Sequence, residues 1–221
     1  MTSKRSIAEP RAYFSPIGRL RMLAGDPALD FANTLHWRDG RQVDFLPNYR
    51  SLAEWSVAAG FLREDEMRIL CDVGASRPEA AQAAHSSAIA LRSVWRESLD
   101  ERTRFPTPRR SGRDSALEAL LASALADPRL LISAKARAGE PRDHILLLPL
   151  ARVALAIASL ALIPGDRKLG RCEGDPCGGF FLNTSRSRPR RWCSMDSCGN
   201  LAKARRFRRR ASAEDGTDVN G

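Results

Sequence analysis

The sequence predicts a mainly α fold of the α+β class: a helical N-terminal domain with a small β-hairpin, followed by a small C-terminal module that contains most of the cysteines. Three observations carry this prediction. Capping residues and apolar spacing typical of helices recur through residues 20–165, four of the five cysteines form two matched pairs after residue 171, and 43% of the 221 residues are hydrophobic. A chain of this composition can bury one medium core and carry a small appended module.

Helices dominate the predicted body domain, and most of them have start or stop signals. The first apolar segment is expected to become helical from about Asp30. Ser51 is predicted to cap a second helix that runs to residue 59, because Glu54 completes a capping box and Gly60 supplies a C-terminal stop. Further helices are expected over residues 63–73, 78–101 and 115–126.

A β-hairpin and a last helix complete the predicted body domain. Residues 130–132 and 144–148 are mostly apolar and flank a turn at residues 139–141, so we expect them to pair as a hairpin. Pro149 suits the first turn of the helix that follows. The apolar run 145–163 has the length of a membrane span, but Pro149 and Arg152 inside it favour a buried helix.

These elements divide the chain into four parts. No uninterrupted apolar stretch begins the sequence, so we expect no secretory signal and a reducing, cytoplasmic setting, in which paired cysteines favour metal over disulfides. The expected parts are a flexible arm (1–18), the mainly helical body domain (19–165), the cysteine module (166–211) and a disordered tail (212–221).

Positive charge is concentrated in the cysteine module. Residues 167–210 contain 13 lysines and arginines against 3 acidic residues, a net charge of +10, which equals the net charge of the whole chain. The rest of the chain is therefore neutral. A local cationic surface of this size indicates a polyanionic partner, with nucleic acid favoured over an anionic membrane.

The cysteines of this module have the spacing of a zinc site. Four residues separate Cys172 from Cys177, four separate Cys193 from Cys198, and 15 lie between the pairs. Structural zinc takes four such ligands in a tetrahedron and leaves no position open for water. The pattern predicts one structural Zn²⁺ whose binding drives folding of the module, and the alternative is two metal-free pairs, reduced or disulfide-bonded.

The module is predicted to fold as a treble-clef-like finger, the name used below for residues 166–211. Phe180–Leu182 is expected as a strand, residues 184–189 as a turn, and Arg191 with Trp192 as the returning strand, which would bring the two cysteine pairs face to face. From Cys198 the chain is expected to be helical, so the last ligand would lie at a helix start.

Two segments resemble a bacterial family. The string RRWCSMDSCGN over Arg190–Asn200, followed by Lys203–Arg206, resembles the CGNR zinc finger, and FLNTSR over 181–186 is similar to the strand that precedes it. The string LDFANTL over 29–35 is similar to the opening signature of the ABATE domain, the usual partner of that finger. The resemblance implies a bacterial, zinc-binding transcription regulator that responds to stress.

Two residues depart from the pattern of that family. Leu201 stands where its name-giving arginine is expected, and Asn183 stands where an aspartate is usual. If the arginine and aspartate form an ion pair in relatives, losing both partners keeps the fold intact. If the arginine contacts a ligand, this chain binds differently, and the residues leave both interpretations open.

Two clusters of cations are the predicted nucleic-acid contacts. They are Lys203, Arg205, Arg206, Arg208, Arg209 and Arg210 on the helix, and Arg186, Arg188, Arg190 and Arg191 at the hairpin tip. Cations around most of a helix suit phosphate contacts, so duplex DNA is favoured over RNA, with a steep salt dependence. A solvated surface without a partner is the alternative. Trp192 and Phe207 are interpreted either as stacking surfaces or as packing over the zinc loops.

The same residues leave other functions open. An RNA-binding or ribosome-associated protein and a zinc-stabilised protein-interaction module are the alternatives to a DNA-binding regulator. An enzyme is not expected, because the finger has no histidine and only three acidic residues for a general base and a second metal. No membrane partner is expected, and a homodimer stays open because one small finger offers limited specificity.

The body domain offers one candidate site. Asp30, Asn33 and Thr34, with His36 and Trp37, are predicted to line a pocket for a small-molecule effector. The alternative is that Asp30 and Asn33 brace a turn through hydrogen bonds to neighbouring backbone.

Overall fold

The computed structural model describes residues 20–38, 41–104, 112–132, 142–162, 168–183 and 189–215, so the predicted N-terminal arm lies outside the described residues. The helices are α1 (Pro27–Ala32), α2 (Tyr49–Ala58), α3 (Glu64–Ser76), α4 (Pro78–Arg104), α5 (Gly112–Ala124), α6 (Arg129–Ile132), a 3₁₀ helix (Arg142–Leu147), α7 (Leu148–Leu162) and α8 (Asn200–Asp215). The strands are β1 (Leu35–Arg38), β2 (Arg41–Asp44), β3 (Lys168–Arg171) and β4 (Phe180–Asn183).

The strands form two small antiparallel sheets of two strands each. In the first, Leu35 of β1 lies opposite Asp44 of β2. In the second, Lys168 of β3 lies opposite Asn183 of β4. The predicted class, mainly α with small β elements, is confirmed.

The start of α2 differs from the prediction. Its N-cap is Asn48, and the Asn48 Oδ1 accepts the backbone N–H of Ser51 at 3.0 Å, so Ser51 lies inside the first turn and is not the cap. The predicted stop is in place, since Gly60 has a φ of +75° in the left-handed region that glycine tolerates best.

The predicted hairpin over residues 130–148 is wrong. Residues 129–132 form α6, which starts where Asp127 Oδ1 accepts the N–H of Arg129 at 3.0 Å, and residues 142–147 form the 3₁₀ helix that leads into α7. The hairpin of the body domain lies instead at residues 35–44, where α1 has already ended at Ala32. Pro149 occupies the first turn of α7, as expected.

One hydrophobic core holds the body domain together. Trp55 of α2 and Trp95 of α4 are almost completely buried in it, and the Trp95 Nε1–H donates to the carbonyl of Ala28 in α1 at 2.9 Å. The Phe31 and Trp55 rings pack with centroids 5.3 Å apart. The same core includes Phe180 and Leu182 of β4, so a strand of the finger completes the core of the body domain.

The apolar segment Asp143–Ala161 is a core helix of this domain, although its length and composition alone would allow it to cross a membrane. Half of that window is buried, and Val153, Ala154 and Ile157 have no exposed surface. Arg152 pairs with Glu66 of α3 at 3.1 Å and donates to the carbonyl of Phe61. Core helices commonly have this composition, and the burial agrees with the sequence-based interpretation.

Candidate metal centre and nucleic-acid interface

The structure brings the four cysteines of the finger together. Cys172 and Cys177 lie in the loop between β3 and β4, and Cys193 precedes the turn 195–199 that contains Cys198 and leads into α8. The ligand atoms all lie within 4.8 Å of one another. The last ligand is therefore in the helical turn that begins α8, as the treble-clef prediction requires.

The distances between the sulfur atoms suit zinc. Cys177 Sγ lies 3.8 Å from Cys193 Sγ, which lies 3.7 Å from Cys198 Sγ. A tetrahedron with Zn–S bonds of about 2.3 Å has sulfur–sulfur edges of about 3.8 Å. A disulfide needs about 2.05 Å, and all four cysteines are free. The donor set therefore fits one structural zinc ion, which these four thiolates would hold.

The electrostatics of the cluster require a cation for full ionisation. Hydrogen bonds from the Cys177 and Cys193 thiols lower the pKa of Cys172, and the contacts with Cys172 raise the pKa of Cys177 and of Cys193. Thiolates this close together repel one another, and a divalent ion offsets the repulsion. Zinc binding to this cluster is therefore expected to release protons.

Backbone geometry shapes the first cysteine loop, residues 172–177. The N–H of Cys172 donates to the carbonyl of Gly179 at 2.8 Å, and the N–H of Cys177 donates to the carbonyl of Gly174 at 2.5 Å. A Cβ at Gly174 would lie only 2.9 Å from the Cβ of Cys198, so a side chain there would push the two cysteine loops apart. Gly174 is thus required by the close approach of the two loops.

The pairing of the finger strands corrects the prediction. β4 pairs with β3 across the first cysteine loop, whereas residues 189–194, including Arg191 and Trp192, form no strand. The reason is that the β3–β4 pair closes the base of the loop, while the later segment must turn to bring in Cys193. Arg191 still contributes its carbonyl, which accepts the N–H of Glu173 at 2.9 Å.

The finger is seated on the body domain through β4. The Asn33 side chain accepts the N–H of Phe180 at 2.9 Å and donates to its carbonyl at 2.8 Å. The N–H of Leu182 donates to the carbonyl of Ala24 at 2.7 Å. We call these contacts the β4 clamp. A salt bridge from Arg171 to Asp100 at 2.9 Å joins β3 to α4 beside it.

The residues predicted for an effector pocket do not share one role. Asp30 is buried and its Oδ1 accepts the N–H of Ala24 at 3.1 Å, and Asn33 forms the β4 clamp, so the bracing interpretation describes both. Thr34 is fully buried, donates to the carbonyl of Phe31 at 2.6 Å and accepts from Arg92 at 3.0 Å. Asn33, together with His36 and Trp37 of the same prediction, lines a cavity that is described below.

The predicted cations divide into those used inside the finger and those facing solvent. Arg190 donates to the carbonyl of Leu182 at 2.7 Å and lies over the Phe181 ring, Arg191 pairs with Glu173 at 2.5 Å, and Arg205 donates to the carbonyl of Asp175 at 2.5 Å. Exposed on α8 are Lys203, Arg206, Arg208 and Arg209. Outside the described residues are Arg186 and Arg188, and so is the side chain of Arg210.

The two aromatic side chains of the finger differ. Trp192 packs against the cluster of Cys172, Cys177 and Phe181, as the packing alternative predicted. Phe207 is 74% exposed on α8 and does not pack over the cysteine loops. α8 also continues to Asp215, so residues 212–215, expected in a disordered tail, are helical.

The contacts between the body domain and the finger are the part of this site that the sequence does not reveal. His36 Nε2 lies 3.9 Å from Cys177 Sγ, so the body domain reaches the edge of the metal centre. The β4 clamp joins residues 147 positions apart. A contact at that separation leaves no periodic or spacing signal in the chain.

A four-cysteine cluster at the start of a cationic helix, seated on a helical body domain, defines a zinc-finger protein whose finger is integrated with its body. The chain belongs to the ABATE family. The model of that family, described as "Putative stress-induced transcription regulator", matches residues 25–162, and the model of the CGNR zinc finger matches residues 168–211. No curated protein and no solved structure matches the chain significantly.

Proposed function

We propose that this protein is a zinc-dependent, DNA-binding transcription regulator of the bacterial cytoplasm that responds to stress. The observation that carries the proposal is the uninterrupted positive charge of α8. No acidic residue lies between Cys198 and Ala213, and Lys203, Arg206 and Arg209 are exposed along the helix. Unpaired cations held close together repel one another, and phosphates of a nucleic acid would offset that repulsion.

The placement of α8 supports the same function. Its contacts with other elements of the described chain are mainly with the turn 195–199 at its own start, so the following turns project from the finger. The zinc-bound loops fix the first turn of the helix and thereby its direction. A rigid cationic helix of 16 residues is about 24 Å long, which is enough to follow phosphates across a groove.

The proposal includes no catalytic activity. A shell of four thiolates leaves no open coordination position at which zinc could activate water. Of the three acidic residues within 167–210, Glu173 and Asp175 face arginines. The regulator therefore acts by binding.

A second candidate function, single-stranded RNA binding, is favoured by Phe207. A phenyl ring that is 74% exposed between Arg206 and Arg208 has the surroundings of a base-stacking side chain. Stacking on an aromatic ring contributes about 1–3 kcal/mol per base, and it needs unpaired bases. Replacing Phe207 by alanine would then weaken RNA binding and leave duplex binding unchanged.

The test is a salt series with the zinc-loaded full chain on matched duplex DNA and single-stranded RNA. The double variant Lys203→Gln/Arg206→Gln should lower the slope of log K against log salt on duplex DNA by about 2, since each phosphate contact contributes about 0.9. The matched control is Arg68→Gln/Arg77→Gln, which removes two exposed arginines from the body domain.

The outcomes separate the candidates. Tight duplex binding that chelation abolishes supports the regulator. A preference for RNA that Phe207→Ala removes supports the second candidate. Weak binding to both, with the two double variants indistinguishable, would contradict a nucleic-acid partner and leave a zinc-stabilised protein-interaction module.

A further inference from the structure

A cleft of about 480 Å³ lies between the body domain and the finger, and Cys177, Cys193 and Cys198 of the metal centre line one part of it. Its walls come from residues 20–24 and β1 of the body domain, from the first cysteine loop, and from one face of α8. Cavities that bind small organic molecules measure about 300–1,000 Å³ and often lie between domains. The cleft therefore has the size and the position of a ligand site.

The walls of the cleft keep large apolar side chains in contact with solvent. Trp37 on β1 is 41% exposed and Leu201 on α8 is 46% exposed, and both line the cleft. Single exposed apolar residues such as Ile69 and Leu155 are common on protein surfaces. Trp37 and Leu201 differ, because they face one cavity from different domains and together form a surface that an apolar ligand would cover.

The charges of the cleft favour an acid. Glu173 and Asp175 line it, but Glu173 pairs with Arg191 at 2.5 Å, and Asp175 Oδ2 lies 4.0 Å from Arg205. Arg21 and Arg209 also line the cleft, and neither has an ion-pair partner among the residues that the structure describes. The uncompensated charge of these side chains is therefore positive.

Charge also differs along α8. Zinc with four thiolates would carry a net charge of about −2 beside Cys198. Arg209 lies nine residues beyond Asn200, about 14 Å further along the helix axis. An acidic group is therefore expected near Arg209, away from the metal, with the apolar part of the ligand against Trp37 and Leu201.

We propose that this cleft binds an amphipathic organic anion, an aromatic or aliphatic acid, and that the bound acid changes the affinity of α8 for nucleic acid. The regulatory half of this inference rests on the proposed function. Leu201, Arg205 and Arg209 project into the cleft, and helical spacing places Lys203 and Phe207 on the opposite side of α8. A ligand in the cleft thus contacts the same helix that presents the outward-facing cations.

Leu201 gives the cleft of this chain its own chemistry. Arginine is expected at this position in the CGNR motif, and leucine replaces a cation in the wall with an apolar side chain. The replacement extends the apolar surface opposite Trp37. Because Leu201 lines the cleft, a ligand bound there would contact this position, as in the second of the two interpretations given above.

The test uses two probes of one shape, 1-naphthaleneacetate and the neutral 1-naphthaleneethanol, titrated calorimetrically into the zinc-loaded full chain without nucleic acid. The acid should bind saturably at one site and several-fold more tightly than the alcohol. Trp37→Ala should weaken both probes about tenfold, as expected when a buried aromatic contact is lost. Arg209→Gln should weaken only the acid, so that the two probes bind equally.

Matched controls identify the cleft as the site. Ile69→Ala removes an equally exposed apolar side chain from α3, and Arg206→Gln removes a cation from α8 outside the cleft, so neither should change binding. Leu201→Arg restores the residue expected in the family, and it should weaken binding of the alcohol by placing a charge in the apolar wall.

Three results would overturn the proposal: no saturable binding of the acid at millimolar concentrations, equal effects of Trp37→Ala and Ile69→Ala, or an unchanged preference for the acid in Arg209→Gln. If the protein binds the acid but does not bind DNA, the result would support the cleft as a ligand site and contradict the proposed function. Addition of the acid to the duplex-binding assay then measures the coupling, and an unchanged duplex affinity would contradict the regulatory half.

Discussion

At the scale of single residues, Asp30 shows how a polar side chain in α1 stabilises the chain before it. Burial raises the pKa of the Asp30 carboxyl to about 6, although its hydrogen bond from the N–H of Ala24 acts in the opposite direction. The carboxyl is therefore easier to protonate in the folded protein than in the unfolded chain, where its pKa is 3.8. A pKa raised in the folded state contributes stability below 3.8 that is lost as the pH rises through about 6.

Asp30→Asn should remove this dependence. An asparagine carbonyl can still accept the N–H of Ala24, and it carries no charge to desolvate. Between pH 5 and pH 8 the free energy of unfolding of the unsubstituted protein should fall by about 1 kcal/mol relative to the variant. Urea unfolding of both proteins at several pH values measures the difference, in which effects of pH on the zinc site cancel. A difference that stays constant with pH would contradict the raised pKa.

At the scale of elements, β4 belongs to two structures. It forms a sheet with β3 and closes the first cysteine loop, and its Phe180 and Leu182 also fill the core of the body domain. The β4 clamp holds the strand in place on α1 and on the segment before it. The same strand therefore closes the loop that carries two metal ligands and supplies side chains to the core of the body domain.

Asn33→Ala should destabilise the protein by about 2 kcal/mol, because it leaves the N–H and the carbonyl of the buried Phe180 without their partner. Denaturant unfolding followed by tryptophan fluorescence measures the loss. Gln82→Ala is the control, since its side chain bonds Ser86 on the exposed surface of α4. Equal stabilities of the two variants would show that Asn33 does not hold β4.

At the scale of the whole molecule, metal binding and the stability of the body domain are expected to be linked. Zinc holds the loop that joins β3 to β4, and β4 completes the core around Trp55 and Trp95. At a structural metal site, the free energy of metal binding stabilises the part of the fold that becomes ordered around the metal. Here the site orders part of the core of the body domain.

Chelation of zinc should therefore lower the melting temperature of the body domain as well as unfold the finger. The double variant Trp37→Phe/Trp192→Phe removes the tryptophan of the finger and the one that faces it across the cleft, so the fluorescence comes from the buried Trp55 and Trp95 of the body domain. Melting curves of this variant with and without a chelator measure the link. If the midpoint of the tryptophan transition stays where it was, the two domains are independent.

Local chemistry explains which parts of this molecule could be predicted. The cysteine ligands follow from spacing, and Pro149 and Gly60 have backbone preferences that hold in any context. Ser51 is the predicted cap of α2, but Asn48 takes that role; both residue types suit an N-cap, so only the tertiary fold decides between them. The hairpin over residues 130–148 failed for a similar reason, since short apolar runs suit a strand or a buried helix equally.

The site was predictable only where one segment contains it. The spacing of the cysteines identifies the metal ligands, and the predicted pocket residues Asn33, His36 and Trp37 do line the cleft. The finger side of the cleft and the β4 clamp depend on residues far apart in the chain. Arg190 and Arg191 illustrate the limit, since their charge suggested phosphate contacts while their geometry shows bonds to Leu182 and Glu173 within the finger. Charge is visible in a sequence, but the partner that neutralises it is not.

The position of β4 also bears on how the protein is made. The ribosome synthesises residues 20–162 before it reaches Phe180, so the nascent body domain lacks one of its core strands until the finger follows. Domains generally fold as units, N-terminal first, during synthesis at about 5–20 residues per second. In this chain the last core side chains of the first domain, Phe180 and Leu182, become available only after the first cysteine loop has been synthesised.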